Sequence, residues 1–448
     1  MSEKLFGTDG IRGVANQYPL TANFCLMLAE VLSDSFCLQQ NKVAIARDPR
    51  ISGDMLFSAL CAGFTAKGVD VLNLGIIPTP LCTTLMPTLG VDMGIMITAS
   101  HNPYHDNGLK LITADGDKFS DSQSALLEEK MSAHDYVSAY DENKIGKIIP
   151  VDTGLKNYLQ TVQKLAPSGA LSNMNIVVDS ANGAMSSVLP EVFKHLGANI
   201  ISLADTPDGY NINRECGSQH TENLCKIVTE NHYDLGVAVD GDGDRIIICD
   251  EKGNRLDGDQ IIAYLASYFK QHNLLKGNTV VATIYSNLGL GKYIRSLGMD
   301  YQTSAVGERY VIEKMRQTGS NLGGEESGHM VLSDYSRTGD ALLTAIVVCL
   351  GIKKAGKKVS EIFPVFAPFP SCSKNLRFAD KSIITRILDN EEVQNCIAEI
   401  KQQLEGHGVV LVRKSGTEPV IRLKVEDENA DLAQQCIDKL LNCINKHS

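Results

Sequence analysis

The sequence "AVDGDGDRII" contains a dense cluster of side chains that could do chemistry. Its aspartates, Asp240, Asp242 and Asp244, alternate with glycines between two apolar runs. Alternate positions of an extended chain face the same side, so the three carboxylates should converge. The glycines let the backbone curl around a small ion. Clustered carboxylate oxygens suit Mg²⁺ or Ca²⁺ better than zinc, so the loop predicts a site for a hard divalent cation.

Two other interpretations of the aspartate loop are weaker. In a calcium-binding EF-hand, Glu251 would fall at the twelfth position, but the sixth position is Arg245 where glycine is required. The flanking sequences also resemble strands, whereas an EF-hand loop joins helices. An ordinary hairpin turn needs a single Asp-Gly pair and does not explain three carboxylates at alternate positions.

A serine follows a second apolar run in "TASHNPYHDNGLKL", where Ser100 is succeeded by His101 and, further on, by Lys110. A serine hydroxyl is a poor nucleophile unless a base, a metal or a developing charge assists it. The G-x-S-x-G motif of the hydrolases is absent from the sequence around it. Asn-Pro and Asp-Asn-Gly are common turn formers, so an ordinary surface turn is the alternative.

The loop "GGEESGH" presents Glu325, Ser327 and His329 after two glycines. Carboxylate and hydroxyl groups in such a loop suit hydrogen bonds to sugar hydroxyls, and an acidic group would also favour an amine. The alternative is a solvated acidic turn with a structural histidine. Near the start, "FGTDGIRG" places Arg12 where its guanidinium could meet a phosphate, although a simple turn also explains this stretch.

Near the C-terminus, "RKSGTEPVIR" offers two hydroxyls, a flexible glycine and fixed cations. Free backbone amides, hydroxyls and a cation in one loop make a good phosphate-binding site. The loop lacks the Walker pattern, so ATP is not implied. The residues that would bind phosphate are Arg413, Ser415, Gly416 and Thr417. A polar hairpin turn is the alternative.

The elements that must position these loops repeat three times along the chain. Each repeat begins with a strand-like run and a polar turn, in "VAIARDPR", "IVVDSANGA" and "VVATIYSNLG". A helix-like stretch then ends at Gly68, Gly197 or Gly298, which we interpret as helix C-caps. A further strand ends in the serine, aspartate or "GGEESGH" loop, and an apolar strand returns.

Strands that alternate with helices predict a largely parallel or mixed sheet covered by helices. We therefore predict three similar α/β domains with mixed sheets and a C-terminal α+β domain, arranged around a central cleft. The predicted bounds are 1–150, 151–255, 256–368 and 369–448, with "VFAPFPS" as the last linker. Ligands of open α/β sheets collect at the carboxyl ends of strands, so the three loops should line the cleft.

Composition and charge argue against nucleic acid and membranes as partners. The chain has 448 residues, a formal net charge of -11 and no Trp, so its charge and its lack of indole rings for base stacking argue against nucleic acid as a ligand. The start lacks a secretion signal, and the run "ALLTAIVVCLGI" is too short to cross a bilayer. We expect a cytoplasmic protein that does not bind membranes. Its cysteines form no C-x-x-C pair and should be reduced core residues.

In the order and spacing of these loops the chain resembles the α-D-phosphohexomutase superfamily from end to end. The opening "FGTDGIRG" and "TASHNPYHDNGLK" look most like the branch that acts on glucosamine phosphates. The resemblance implies an isomerase that interconverts glucosamine 6-phosphate and glucosamine 1-phosphate. Such an enzyme works through a phosphoserine and a 1,6-bisphosphate and feeds the synthesis of UDP-N-acetylglucosamine and cell-wall precursors.

Residue by residue, the resemblance makes Ser100 the phosphoserine. One Mg²⁺ per chain would bind to Asp240, Asp242, Asp244 and a phosphoserine oxygen. Residues near the transferring phosphoryl group would be Arg12, His101 and Lys110, with Lys110, His101 or His329 as acid or base. The groups that bind the sugar phosphate would be Glu325, Ser327, His329, Arg413, Ser415, Gly416, Thr417 and Arg422. A hexose or hexosamine 1,6-bisphosphate would be activator and intermediate, and a homodimer is left open.

The chain departs from the glucosamine branch at three positions. The chain has Glu326 where that branch commonly has Gln, Glu308 in "GERYV" where it has Asp, and Lys414 where it has proline. A mutase for glucose or mannose phosphates is therefore the first alternative. A metal-dependent sugar phosphatase and a non-catalytic Mg²⁺ or sugar-phosphate binding protein are the others.

Overall fold

The structure is a computed structural model that describes residues 5–7, 9–36, 38–133, 140–152, 154–414 and 419–447, with only the backbone at Lys381. The chain divides into two compact units. The first comprises residues 1–284 and 302–365, and the second comprises residues 285–301 and 366–448. The domain bounds predicted from sequence subdivide the chain more finely and stay a prediction.

The first sheet has the strand order β1-β2-β6-β5-β3-β4-β7. Its strands are β1 (Phe6–Gly7), β2 (Gly10–Val14), β3 (Lys42–Arg47), β4 (Asp70–Ile76), β5 (Met93–Ile97), β6 (Asp106–Thr113) and β7 (Ile148–Pro150). The helices are α1 (Ala22–Ser35), α2 (Gly53–Ala66), α3 (Thr79–Leu89) and α4 (Asp121–Ser132). Apolar residues of α1, α2 and β3 share one buried core with Leu109 and Leu111 of β6.

The second sheet has the order β12-β11-β10-β8-β9. Its strands are β8 (Asn175–Asp179), β9 (Asn199–Leu203), β10 (Leu235–Val239), β11 (Ile246–Asp250) and β12 (Arg255–Leu256). Helices α5 (Leu155–Leu165), α6 (Leu189–His195) and α7 (Glu222–Glu230) accompany them. Strands β10 and β11 are buried along their whole length, which explains their continuous apolar sequence.

The third sheet has the order β14-β13-β15-β16. Its strands are β13 (Thr279–Thr283), β14 (Asp300–Ser304), β15 (Leu322–Gly324) and β16 (Met330–Leu332). Nearby along the chain lie α8 (Gly258–Gln271), α9 (Leu288–Ser296), α10 (Glu308–Thr318), α11 (Ala341–Ala355) and α12 (Val359–Ile362). The apolar run of α11 is an internal helix, which begins where the Asp340 side chain accepts a hydrogen bond from the Leu343 amide.

The three sheets share one topology, as the sequence repeat predicted. In the first, β5 pairs parallel with β3 and antiparallel with β6, while β3 pairs parallel with β4. The second repeats this pattern with β10, β8, β11 and β9. The third repeats it where β15 pairs parallel with β13 and antiparallel with β16. The predicted cap residues Gly68, Gly197 and Gly298 all have positive φ, which glycine adopts readily.

The second unit contains a three-stranded antiparallel sheet in the order β17-β19-β18. Its elements after α12 are β17 (Ser371–Arg377), α13 (Lys381–Leu388), α14 (Glu391–Gln403), β18 (Gly408–Lys414), β19 (Val420–Asp427) and α15 (Ala430–Asn445). Apolar residues of α14, α15 and β19 form its core. The α+β class predicted for the C-terminal region is confirmed.

Among the described residues, no helix is long and apolar enough to cross a membrane. The described cysteines are free thiols, and most of them are buried, as expected from sequence.

Candidate active site

Three predicted loops of the first unit lie at equivalent points of the three repeats. Each follows the strand that pairs parallel on one side and precedes the strand that returns antiparallel. The serine loop joins β5 to β6, the aspartate loop joins β10 to β11, and the loop with Glu325 and His329 joins β15 to β16. The shared topology therefore places a different set of polar side chains at the same strand end, after β5, β10 and β15, in each repeat.

Ser100 faces the aspartate loop. Its side chain is fully buried, and its Oγ donates to Asp240 Oδ2 over 2.5 Å. The Nδ1 atom of His101 lies 3.4 Å from the same Oγ. Ser100 has φ of +53°, a left-handed conformation that residues other than glycine seldom adopt. The serine is thus held in an uncommon backbone geometry directly against the predicted metal ligands.

The three aspartates converge as predicted. Ligand oxygens from Asp240, Asp242 and Asp244 lie within 4.8 Å of one another, and none of the three residues is exposed. The Asp240 Oδ1 atom accepts hydrogen bonds of 3.1 Å from the Asp244 and Arg245 amides. Thr79 donates its hydroxyl to Asp242 Oδ2 over 2.5 Å. The loop is therefore ordered by its own backbone and by one neighbouring hydroxyl.

The charge distribution of this loop fits a divalent cation. The Asp242 Oδ1 atom is buried and has no hydrogen-bond partner within the described part of the chain. Burial, reinforced by Asp244 and Asp242, raises the pKa of Asp240 to about 8. Crowded carboxylates with an unpartnered oxygen are stabilised by a hard cation, so the residues present suit Mg²⁺.

Lys110 lies beside the same carboxylates. Its Nζ is 2.7 Å from Asp242 Oδ2, 3.0 Å from Asp244 Oδ2 and 3.2 Å from Asp9 Oδ2. Burial disfavours the ammonium ion, but these three carboxylates outweigh burial and raise the pKa of Lys110 well above its usual value. Lys110 is accordingly a fixed positive charge in the described structure, whereas its sequence position also allowed a proton-transfer role.

His329 connects the third loop to the aspartate loop. Its Nε2 lies 2.9 Å from Asp244 Oδ1, and its Nδ1 lies 2.7 Å from Glu325 Oε2. Burial opposes a charged imidazole, but the charge of Asp244 and the hydrogen bonds that the imidazole donates to Asp244 and Glu325 raise the pKa of His329 to about 10. Glu325 is further fixed by the Gly307 amide, which donates to its Oε1 over 3.0 Å. Ser327 is only partly buried.

His101 and Arg12 flank the serine. Burial lowers the pKa of His101 to about 2, and the positive charges of Arg245 and Arg12 act in the same direction. The imidazole of His101 is therefore neutral at physiological pH. Arg12 pairs with Asp9 over 2.5 Å. The structure thus brings Arg12, His101 and Lys110 to one region.

A buried ionic network lies behind Lys110 and was not predicted from the sequence. Asp9 contacts both Lys110 and, over 2.6 Å, the Nζ atom of Lys118. Lys118 also pairs with Glu308, which accepts from the Thr338 hydroxyl. Lys118 and Glu308 are 190 residues apart in the chain, so no local pattern could reveal the pair. The sequence signal for this network is Glu308 in "GERYV", where the glucosamine branch commonly has aspartate.

The predicted phosphate-binding residues belong to the second unit. Arg413 is the penultimate residue of β18, where it pairs in register with Arg422 of β19. The guanidinium of Arg413 lies 6.0 Å from the centre of the Tyr285 ring, and Arg422 is exposed. Ser415, Gly416 and Thr417 lie outside the described residues, so their predicted role stays a prediction.

The chain matches four models of the phosphoglucomutase/phosphomannomutase family in chain order. These are α/β/α domain I over residues 3–138, domain II over 156–253, domain III over 257–369 and the C-terminal domain over 374–442. It is also 42% identical to a protein named phosphoglucosamine mutase from Zymomonas mobilis, over 449 residues and the full length of both chains. The chain belongs to the phosphoglucomutase/phosphomannomutase family.

Further relatives support this membership. A phosphoglucosamine mutase from Paramagnetospirillum magneticum is 41% identical over 100% of this chain and 99% of its own. A phosphoglucomutase/phosphomannomutase family protein from Burkholderia thailandensis has the same fold, with a TM-score of 0.80, 22% identity and coverage of 100% and 98%. The chain is accordingly an isomerase of the mutase type.

A solved mutase of the same fold contains ligands. The N-acetylphosphoglucosamine mutase of Aspergillus fumigatus, in complex with GlcNAc-6P and magnesium, has a TM-score of 0.65 and 15% identity. The alignment covers 100% of this chain and 96% of that one. In the phosphoglucomutase/phosphomannomutase family models, Ser100 falls in domain I, the three aspartates fall in domain II and Glu325 falls in domain III.

Proposed function

We propose that the chain is a phosphoglucosamine mutase, which interconverts glucosamine 6-phosphate and glucosamine 1-phosphate through phospho-Ser100. The observation that carries the proposal is the 2.5 Å contact between Ser100 Oγ and Asp240 inside a buried cluster of three aspartates. Relatives named phosphoglucosamine mutase, 40–42% identical over nearly the whole chain, support glucosamine phosphate as the substrate.

Phosphoryl transfer requires in-line positioning and stabilisation of charge. In the first half-reaction the bond between phosphorus and Ser100 Oγ breaks and a bond to the 1-hydroxyl oxygen forms, while that hydroxyl loses a proton and Ser100 Oγ gains one. The product is glucosamine 1,6-bisphosphate. After the sugar turns around, the bond between phosphorus and the 6-oxygen breaks and Ser100 Oγ regains a phosphoryl group, while the 6-oxygen gains a proton and the serine hydroxyl loses one. Glucosamine 1-phosphate leaves, and the enzyme is again phosphorylated.

Asp240, Asp242 and Asp244, with an oxygen of the phosphoserine, would hold Mg²⁺. When bound, the ion neutralises charge on the phosphoryl oxygens and on the serine oxygen as it leaves. Lys110, fixed among its carboxylate partners, contributes a permanent positive charge beside the same oxygens. A neutral His101 and the charged His329 are the two proton carriers that the surrounding geometry supports.

Substrate contacts are assigned by chemistry. Glu325, Ser327 and His329 suit the hydroxyls and the amine of the sugar, with Ser327 having no hydrogen-bond partner among the described residues. Arg12 suits the transferring phosphoryl group. The second unit would bind the phosphate that is not reacting, through Arg413, Ser415, Gly416, Thr417 and Arg422.

The variant Ser100→Ala tests the proposed reaction. We expect at least about a 1,000-fold loss of mutase turnover in a protein that still folds, since only the nucleophilic oxygen and its hydrogen bond to Asp240 are removed. Ser180→Ala is a matched control, because the Ser180 hydroxyl is buried and has no partner among the described residues. It should retain wild-type activity. Full activity in Ser100→Ala would exclude a phosphoserine mechanism.

Two measurements separate the proposed function from a sugar phosphatase and from a mutase for neutral hexose phosphates. A mutase forms the isomer faster than free phosphate, whereas a metal-dependent sugar phosphatase would release phosphate faster. Comparing kcat/KM for glucosamine 6-phosphate with that for glucose and mannose phosphates tests the substrate. Preference for a neutral hexose would overturn the glucosamine assignment while leaving the mutase chemistry intact.

A further inference from the structure

One buried arginine, Arg50, forms hydrogen bonds to the backbone of the serine loop. The side chain of Arg50 has no exposed surface. Its Nη2 donates to the carbonyl oxygens of Ser100 over 2.9 Å and Asn102 over 2.8 Å. Its Nη1 donates to the carbonyl oxygens of Pro103 and Asp106. Four carbonyl groups of one loop are thus bound by a single rigid guanidinium.

Asp48 orients this guanidinium and the serine amide together. Its Oδ2 atom accepts from Arg50 Nε over 2.9 Å and from the Thr98 hydroxyl over 2.6 Å. The Thr98 oxygen in turn accepts from the Ser100 amide over 2.9 Å. Asp48 therefore orients both groups that bind the Ser100 backbone: Arg50, which donates to its carbonyl, and Thr98, which accepts from its amide.

A second side chain reaches the same carbonyls from the next repeat. Asn213, which lies between β9 and β10, donates from Nδ2 to Ser100 O over 2.8 Å and to Asn102 O over 3.0 Å. The residue is 8% exposed. The aspartate loop also approaches closely, since a Cβ placed on Gly241 would lie 2.7 Å from Ser100 O. The serine loop is therefore tied to the repeat that carries the metal ligands.

We propose that Arg50, Asp48 and Asn213 are positioning residues for phosphoryl transfer, which together fix Ser100 Oγ against the aspartate loop. The inference rests on the proposed function. None of the three side chains touches Ser100 Oγ in the described contacts, so they act through the backbone of the serine loop. They hold Ser100 in its left-handed conformation, which an unrestrained serine would leave.

We call Arg50, Asp48 and Asn213 the clamp of the serine loop. The proposed mechanism explains why the loop must be held in place. The bisphosphate must turn around between the two half-reactions, while the oxygen that donated the first phosphoryl group must accept the second. Transfer is fast only if the acceptor oxygen keeps its in-line position, because a displacement of about 1 Å can reduce the rate about 100-fold. A loop whose carbonyls are bound from both sides cannot follow the turning sugar.

The variant Asn213→Ala tests the clamp. We expect kcat for the mutase reaction to fall about 10- to 100-fold, with KM for the sugar phosphate changed less than about threefold. The ratio of phosphate released to isomer formed should rise, because a misplaced phosphoserine is more open to water. The matched control is Asn321→Ala, since Asn321 is also a buried residue that donates to a backbone carbonyl, that of Leu274. It should lose stability without a change in this ratio.

Arg50→Lys provides a second variant. Lysine keeps the charge beside Asp48 but lacks the planar fork that serves four carbonyl oxygens. We expect its kcat to fall at least as far as that of Asn213→Ala. If Arg50→Lys does not fold, the comparison of Asn213→Ala with Asn321→Ala decides alone. A kcat and a phosphate-to-isomer ratio equal to those of the wild type in Asn213→Ala would overturn the clamp.

The same samples separate this inference from the proposed function. Each protein is incubated with glucose 1,6-bisphosphate, and the phosphoryl group on Ser100 is measured by mass spectrometry. A wild-type chain that never acquires it refutes the proposed function, and the clamp with it. A wild-type chain that acquires it, beside an Asn213→Ala variant that transfers it onward just as fast, refutes the clamp alone.

Discussion

The serine loop and the aspartate loop occupy the same position in two repeats, yet they are ordered by opposite means. In the serine loop, donors from Arg50 and Asn213 bind backbone carbonyls and leave a neutral hydroxyl facing inward. In the aspartate loop, buried carboxylates face inward and one oxygen, on Asp242, lacks a partner in the described residues. The shared topology fixes where each loop lies, and the local side chains determine whether it presents a nucleophile or a cation site.

The largest predicted effect comes from removing the charge that distinguishes the aspartate loop. Asp242→Asn should reduce kcat/KM about 1,000-fold and raise the Mg²⁺ concentration needed for half-maximal activity, because an amide is a weak ligand for a hard cation. Magnesium titration of activity measures the shift. Asp179→Asn alters a buried aspartate of the same sheet that binds only backbone amides in the described contacts, so its magnesium midpoint should match that of the wild type.

The aspartate loop is joined through Lys110 to a network that also contains Asp9, Lys118 and Glu308, whereas the described ion pairs of this network include no residue of the serine loop. Lys118→Met should lower the free energy of unfolding by about 3–5 kcal/mol, because Glu308 loses a buried cationic partner. Urea unfolding measures the loss. Lys194→Met removes an exposed pair with Glu191 and should cost less than about 1 kcal/mol. Equal losses in both variants would show that the network carries no special stability.

Asp340 is a buried carboxylate whose described partners are neutral groups, in contrast to Glu308, which pairs with the cationic Lys118. It accepts hydrogen bonds from the Leu343 amide and the Tyr158 hydroxyl, and burial raises its pKa to about 7. Between its unfolded pKa and about 7 the folded state holds the proton more tightly, so stability falls as pH rises through this range.

From pH 5 to 7 the contribution of Asp340 should decrease by about 2 kcal/mol. Denaturant melts of the wild type and of Asp340→Asn across this range measure it, since asparagine keeps the helix cap without titrating. The difference in stability between the two proteins should change with pH by that amount. A difference that stays constant from pH 5 to 7 would place the pKa of Asp340 in its ordinary range.

The smallest effect is expected in the third loop, where Ser327 is only partly buried and has no hydrogen-bond partner among the described residues. Ser327→Ala should reduce kcat/KM about fivefold, the equivalent of one hydrogen bond to substrate, mainly through KM. Steady-state kinetics with glucosamine 6-phosphate measures it. A change confined to kcat would instead place Ser327 with the reacting groups.

The sequence predicted what local patterns encode. Strand-length apolar runs, helix-ending glycines and polar loops at matching points predicted the three repeats, and Asp240, Asp242 and Asp244 converge as their alternation required. The family resemblance then supplied the expected role of Ser100.

The partners of buried charges could not be predicted in this way. Arg50 and Asn213 reach Ser100 from 50 and 113 residues away, and such contacts leave no periodic trace in the chain. The three carboxylate partners of Lys110 likewise come from distant parts of the chain. The sequence therefore predicts candidate reacting groups, whereas the groups that hold them in place depend on tertiary packing.

The central claim is that the transferred phosphoryl group passes through Ser100. The direct test is to phosphorylate the protein with labelled glucose 1,6-bisphosphate, locate the label by peptide mass spectrometry, and add unlabelled glucosamine 6-phosphate in a rapid-quench experiment. We predict label on Ser100 alone, which leaves for the sugar at least as fast as steady-state turnover. Label on another residue, or label that remains on Ser100 while product forms, would contradict the account.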